Sequence, residues 1–198
     1  MSVILFVYPG DMGHSRDEKT RSHERIVEAA SELMMEGGTE APSVAEIMSS
    51  AGLTHGGFYK HFGSRDELVA AAVASAIGAS NEATREVLEG TEDRLAAFVE
   101  WYASPAHRDD LRSGCAVAAL GTDAGRGDPG LQELFQDQVE RYVELLQDLL
   151  GEDGDRETAL AAMSTLVGAL YVSRAVGDEA FSEEILASAR RSVLSRRS

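Results

Sequence analysis

An all-α fold is predicted by three features of the sequence. Apolar residues recur at intervals of three and four along most of the chain, which is the signature of amphipathic helices. The breaks between these stretches carry glycine stops and Ser, Thr or Asp start signals. Ala, Leu, Glu and Arg dominate, while β-branched and aromatic residues are sparse. The pattern divides into an N-terminal arm over 1–15 expected to be disordered, a small three-helix unit over 16–64, and a larger helical bundle over 65–198.

The first eight residues are apolar but short and lack a basic flank, so they do not read as a secretory signal. Pro9-Gly10-Asp11 breaks the chain and Met12 follows, consistent with a translation start at Met12. The segment 13–21 is polar with mixed charge and is expected to be a flexible arm. A first helix is predicted over about 20–36, with Ile26, Ala29, Ala30, Leu33 and Met34 on one face and Gly37-Gly38 as its stop. Ser43 and Glu46 form a Ser-x-x-Glu capping box that opens a second helix, with Val44, Ile47 and Met48 turned inward. Ala51-Gly52-Leu53 reads as a tight turn, and Thr54 as the cap of a short third helix ending near His61. Phe58 and Phe62, four apart, form its buried face. Ser64 and Glu67 form a second capping box, opening a helix that reaches about 89 with a weak point at Gly78.

Six further helical stretches follow. They cover about 91–102, a start at Ser104-Pro105, an Ala-rich run over 115–125, the strongly amphipathic 129–150, and a long stretch over 156–176, with Ser182 expected to cap a final helix. The 156–176 stretch is apolar on more than one side (Leu160, Met163, Leu166, Val167, Leu170, Tyr171), which fits one face toward the core and one toward a partner.

Composition excludes several classes of function. A formal net charge of −16 argues against a protein that coats nucleic acid non-specifically, but leaves room for a local cationic face. The single cysteine, Cys115, rules out an intrachain disulfide and suits a reducing cytoplasm. No apolar run approaches the roughly 20 residues needed to span a bilayer, so no membrane partner is expected. There is no glycine-rich phosphate loop and no His-Glu-x-x-His, and no triad forms around the lone cysteine, so no enzyme is predicted. His14, His23, His55, His61 and His107 are not spaced as metal ligands, and neither metal nor cofactor is expected.

A capped helix, a three-residue turn with glycine and a short second helix make a helix-turn-helix. The residues from Ala51 to Leu68, Ala-Gly-Leu-Thr-His-Gly-Gly-Phe-Tyr-Lys-His-Phe-Gly-Ser-Arg-Asp-Glu-Leu, closely resemble the signature of the TetR family of bacterial repressors. That family reads Ala-Gly-Val-Ser, a few variable residues, Tyr, one variable residue, His-Phe, then Ser-Lys-Glu-Glu-Leu. The match is close over about 20–70; beyond 80 only length and helical pattern agree.

The physics of this stretch is consistent with the resemblance. Tyr59, Lys60 and His61 are three successive phosphate donors on a helix whose apolar face is Phe58 and Phe62. Ser43 and Thr54 sit at helix starts, where backbone N–H groups face an anion. The resemblance implies phosphate contacts by Thr54, Tyr59 and His61, and also by Arg65, which replaces the commoner lysine. Base reading would fall to His55, Gly56 and Gly57. Two glycines in a short helix cost roughly 2 kcal/mol relative to alanine. Either they let the backbone approach the groove floor, or they merely suit local packing. The alternative to DNA is a helical ligand- or redox-sensing protein whose corner docks protein. Residues 1–64 carry more acids than bases, so Glu28, Glu32, Glu36 and Glu40 are expected to face away from DNA.

The same resemblance implies a homodimer formed by the last two helices, double-stranded operator DNA as partner, and a small-molecule inducer in the bundle. Candidate pocket residues are Phe98, Trp101, Tyr102, Cys115, Phe135, Tyr142, Met163 and Tyr171; Arg174 and His107 read as surface residues. Cys115 is open to two readings: a buried structural thiol, or a reactive one at a helix N-terminus.

Overall fold

The computed structural model describes residues 11–196, and the side chains of residues 16–196. Among the described residues there are nine α-helices, two 3-10 turns and no strand. The helices are α1 (Asp11–Gly37), α2 (Val44–Ser50), α3 (Arg65–Leu88), α4 (Arg94–Tyr102), α5 (Pro105–Asp109), α6 (Ala116–Ala124), α7 (Pro129–Leu150), α8 (Arg156–Ala175) and α9 (Glu179–Leu194). A 3-10 turn, His55–Lys60, lies between α2 and α3, and a second, Gly151–Asp153, follows α7. No helix among these residues is long and apolar enough to cross a membrane.

Two apolar clusters form the core. The first joins α1, α2, the 55–60 turn and α3 through Ile26, Ala30, Met34, Ile47, Met48, Phe58, Phe62 and Leu68. The second joins α4, α7, α8 and α9 through Leu95, Phe98, Tyr102, Val143, Leu146, Leu166, Leu170 and Leu186. The short helix α6 belongs to both: Ala116, Leu120 and Ala124 sit in the first cluster, Cys115 and Ala118 in the second.

Most helix starts follow the local rules. Asp93, Ser104, Asp128 and Asp155 each accept a hydrogen bond from the backbone N–H three residues on. Helix α3 runs without a break past Gly78, because Val73, Ala76 and Ser80 bury its flanks on either side.

Four expectations are corrected. The segment 13–21 is not a flexible arm but the first part of α1. The buried faces of Ile26, Ala30 and Met34 nucleate this helix, and each added residue contributes a backbone bond, so a polar extension propagates. Asp17 and Glu18 suit its N-terminal half, and the Thr20 hydroxyl donates to the Arg16 carbonyl at 3.1 Å. Residues 1–10 lie outside the described residues, and with them most of the expected arm and the segment before Met12. Ser182 does not cap α9. Asp178 does so one turn earlier, accepting from the Phe181 N–H at 2.7 Å. Ser182 is buried, donating to the Ser173 carbonyl at 2.9 Å and accepting from Arg108 at 2.8 Å. In the second capping box Glu67 reaches past Ser64 and accepts from the Gly63 N–H at 2.6 Å. Finally, His107 and Arg174 are not surface residues: His107 is 5% exposed and Arg174 is half-buried.

Candidate nucleic-acid interface and the cleft behind it

Local chemistry builds the corner. The Ser43 hydroxyl accepts from the Glu46 N–H at 3.2 Å, and the Glu46 carboxylate accepts from the Ser43 N–H at 2.8 Å, so the reciprocal box is complete. Helix α2 ends where Gly52 adopts φ +71°, a left-handed conformation that turns the chain and lets the Leu53 N–H reach the Met48 carbonyl at 2.8 Å. The 55–60 turn is then pinned by Phe58 and Phe62, each 2% exposed, with ring centroids 5.7 Å apart. Burying each ring contributes about 1.5–3 kcal/mol, enough to hold a six-residue turn that carries two glycines.

What this turn presents outward is unusual for a free surface. Tyr59 is 77% exposed, its ring set edge-on to Phe58, and Lys60, His55, Gly56 and Thr54 are exposed beside it. Thr54 stands at the N-cap position but makes no side-chain capping bond, so its hydroxyl is available. Gly56 and Gly57 lack the positive φ that demands glycine. A β-carbon on Gly56 would meet nothing within 4 Å, and one on Gly57 only Met48 at an ordinary 3.5 Å. The protein's own packing therefore requires neither glycine.

Three predicted contact residues are placed differently. The Ser43 hydroxyl is occupied by its capping box, donating to Glu46 at 2.7 Å. The Arg65 guanidinium is occupied as well, by the carbonyls of Thr39 at 2.6 Å and Pro42 at 3.4 Å and by the Glu40 carboxylate at 3.1 Å. It clasps the α1–α2 loop rather than projecting outward. His61 is half-buried, and its Nδ1 is buried without a hydrogen-bond partner. Burial and the positive charges of His23, Lys19 and Lys60 hold the His61 imidazole below its usual pKa. The sequence alone did not place His23 and Lys19 beside His61. The helical continuation of α1 brings them here, with His23 stacked on Phe62 at 4.6 Å and 6.3 Å from the His61 ring. Of the acids expected to face away from DNA, Glu32 and Glu36 pair with Arg112 and Glu40 pairs with Arg65.

Behind the corner, between α3, α4 and α7, lies an open cleft of about 810 Å³. Asn81, Thr84 and Tyr142 contribute polar groups to it and Leu88 and Leu145 apolar wall, while Glu82, Glu86, Glu89, Glu144, Arg85, Arg94 and Arg141 make its rim charged. Its floor is braced by the Asn81 and Gln138 amides, which exchange hydrogen bonds at 3.0 and 2.8 Å. Of the predicted pocket residues only Tyr142 lines this cleft directly. Phe98, Tyr102 and Cys115 are packed beneath it in the second core cluster, with Trp101 and Met163 half-buried against them. The Tyr102 hydroxyl donates to Cys115 Sγ at 3.0 Å, and the Tyr142 hydroxyl lies 3.8 Å from the same sulfur. Burial pushes both phenols well above their usual pKa, so they remain neutral donors. Phe135 belongs to the other cluster, against the three-helix unit. Tyr171 is 58% exposed on the outward side of α8, so it cannot line a pocket within this chain.

His107 gives the protein a pH dependence. Its ring stacks on Trp101 at 4.6 Å, and Nδ1–H donates to the Tyr102 carbonyl at 2.8 Å. Burial lowers its pKa, with Arg174 adding to the effect and the Tyr102 bond and Asp110 opposing it. The neutral ring thus contributes its full stability above the unfolded-state pKa of about 6.5, and that contribution falls away as pH drops from there toward the folded-state value. Thermal unfolding followed by circular dichroism should show the melting temperature dropping between about pH 7 and pH 5.5. In His107→Gln that drop should be smaller but not absent, because His61 titrates in the same sense.

On the opposite side, α8 and α9 expose Leu160, Tyr171, Val172 and Phe181, at 37%, 58%, 46% and 52%. A groove of about 440 Å³ runs between them, lined by Thr165, Ala169, Phe181, Ile185 and Ala189.

A capped corner with an open donor surface, joined to a cleft-bearing helical bundle, defines a helix-turn-helix protein. Comparison with known proteins agrees. Residues 26–72 match the family described as bacterial regulatory proteins, tetR family. An uncharacterized HTH-type transcriptional regulator of Mycobacterium tuberculosis is 29% identical over 164 residues, covering 76% of this chain and 83% of that one. The fold is shared with a TetR transcriptional regulator from Chloroflexus aurantiacus, at a TM-score of 0.78 and 24% identity over 90% of this chain and 95% of that one. A TetR-family regulator from Cytophaga hutchinsonii superposes with a TM-score of 0.77 at 16% identity, over 90% and 96% of the two chains. Residues 26–72 thus carry the tetR-family regulatory segment, and the chain as a whole shares the fold of TetR-family transcriptional regulators.

Proposed function

We propose that this chain is a homodimeric, cytoplasmic repressor without enzymatic activity, which releases a palindromic operator when a small apolar or electrophilic inducer enters the bundle. In this reading residues 16–64 are the DNA-binding unit and 65–198 the effector and dimerisation unit. Two copies of the 55–60 turn enter successive major grooves about 34–36 Å apart. Tyr59, Lys60 and Thr54 contact phosphate, His55 reads a base edge, and the bare backbone at Gly56 and Gly57 approaches the groove floor. The dimer forms through α8 and α9, burying Phe181 and Tyr171. The inducer occupies the α3–α7 cleft and shifts the population away from the DNA-competent spacing.

The observation that carries the reading is the outward face of the turn: a bare aromatic ring, an exposed ammonium and two glycines that the fold does not require.

The test is a mobility-shift titration on duplexes from the gene's own upstream region, repeated across salt. Binding should weaken steeply as salt rises. Lys60→Ala should bind about tenfold less tightly at low salt and reduce the log–log salt slope by about 0.9. Gly56→Ala should leave stability unchanged or raise it by up to about 1 kcal/mol while weakening the complex. A flat salt response would instead favour a corner that docks protein, and an unaffected Gly56→Ala complex would remove the close-approach role.

A further inference from the structure

We infer that helix α1 is a second phosphate-binding element beside the turn, and that its Lys19 and His23, with Lys60 and His61 of the corner, couple DNA binding to the uptake of protons. The inference rests on the DNA-binding reading above and adds how that same surface is regulated.

The placement follows from the helix. Helix α1 continues without a break from Gly37 back to Asp11. At 100° per residue, Arg16, Lys19 and His23 fall within about 60° of one another around its axis. Ile26, fully buried in the first cluster, lies about 60° from His23, so this face runs out of the core onto the corner. The nearby acids Asp17, Glu18 and Glu24 lie about 100–140° away from His23. The His23 ring stacks on Phe62 at 4.6 Å and stands 6.3 Å from the His61 ring, which Lys60 precedes in sequence. Lys19 and Lys60 are exposed, and among the described residues neither is in an ion pair. By contrast Arg112, Arg156 and Arg190 are each held by a carboxylate. In a chain of net charge −16, this uncompensated cationic cluster is the side that a polyanion can approach.

The proton enters through His61. Its Nδ1 is buried without a hydrogen-bond partner, so an imidazolium there can be compensated only at the exposed edge of the ring. The charges facing it are His23 and Lys19 from α1 and Lys60 from its own segment. With burial, they hold the free ring below its usual pKa, and so neutral at physiological pH. A phosphodiester oxygen in this cluster offsets the repulsion among the cations and accepts from the ring N–H, which favours the charged form. The pKa is therefore higher in the complex than in the free protein. Affinity rises as pH falls through the bound value and levels off below the free value.

The test measures binding of the upstream duplex from the shift assay by fluorescence anisotropy. Ionic strength is fixed, pH runs from about 8 to about 6, and circular dichroism confirms the fold at each pH. For the wild type Kd should fall about tenfold across this range. His61→Gln removes the titrating ring and should hold Kd within about twofold over the same range. Lys19→Gln changes an exposed side chain and carries the test if His61→Gln does not fold. It should weaken binding at high pH and lower the log–log salt slope by about 0.9 per copy. It should also shrink the pH effect, because one charge fewer then opposes protonation of the free ring. His55→Gln alters the base-reading candidate and should keep the pH effect. A wild-type Kd that is flat with pH overturns the inference and leaves the DNA-binding reading standing. So does a pH effect that disappears in His55→Gln but persists in His61→Gln, or a Lys19→Gln complex with unchanged affinity and salt slope. If the duplex binds at no pH, the DNA-binding reading falls and the inference falls with it.

Discussion

Phe181→Glu should turn the protein into a monomer and weaken operator binding by about 10²–10⁴-fold, the range typically lost when two linked contacts become one. Phe181 is 52% exposed at the start of α9 and lines the groove between α8 and α9. An isologous interface uses each residue twice, so one substitution places two carboxylates in the same apolar patch. The fold itself should tolerate the change, because the ring is already half in solvent and Asp178 caps the helix through the backbone N–H. Light scattering coupled to size exclusion reads the first effect, and the shift assay reads the second. A dimer with unchanged operator affinity would show that α8 and α9 are not the assembly face.

Arg174→Met should lower the melting temperature by about 6–12 °C. The guanidinium donates to the carbonyls of Arg108 at 2.8 Å, His107 at 3.1 Å and Asp110 at 3.3 Å, and so holds the loop between α5 and α6 against α8. Methionine keeps most of the stem but removes all three donors. Each orphaned carbonyl costs about 1 kcal/mol, so the loss is about 3 kcal/mol. In a chain of this size each kcal/mol moves the midpoint by about 2–4 °C. Gly114, whose β-carbon would stand 3.2 Å from the same guanidinium and 2.4 Å from the Asp110 carbonyl, shows how closely this loop wraps the arginine. A shift under about 2 °C in differential scanning calorimetry would mean that water replaces the donors at little cost.

The candidate interface was legible in sequence as far as its chemistry is local. The Ser43–Glu46 box, the Gly52 turn and the Phe58–Phe62 pair each involve residues within five positions of one another, and the structure contains all three. Which polar groups are left free was not legible. Ser43 and Arg65 look equivalent to Thr54 and Lys60 as phosphate donors, yet the first two are occupied by protein partners and the last two are exposed. The cleft was still less visible, since a buried aromatic and one lining a cavity share the same helical spacing. Tyr171 and Phe135 were placed in one pocket by that spacing, although one faces outward and the other belongs to the opposite cluster.

By itself the sequence determined the all-helical fold, most helix boundaries, the corner and the resemblance of that corner to the TetR family. These follow from backbone capping, periodicity and turn conformation, which act over a few residues. Tertiary structure alone decided that α1 extends to place His23 beside His61, that Asp123 reaches Thr39, and that Arg174 is half-buried against the end of α5. Those outcomes depend on which side chains from distant segments compete for the same donor or the same space, and no local pattern encodes that competition.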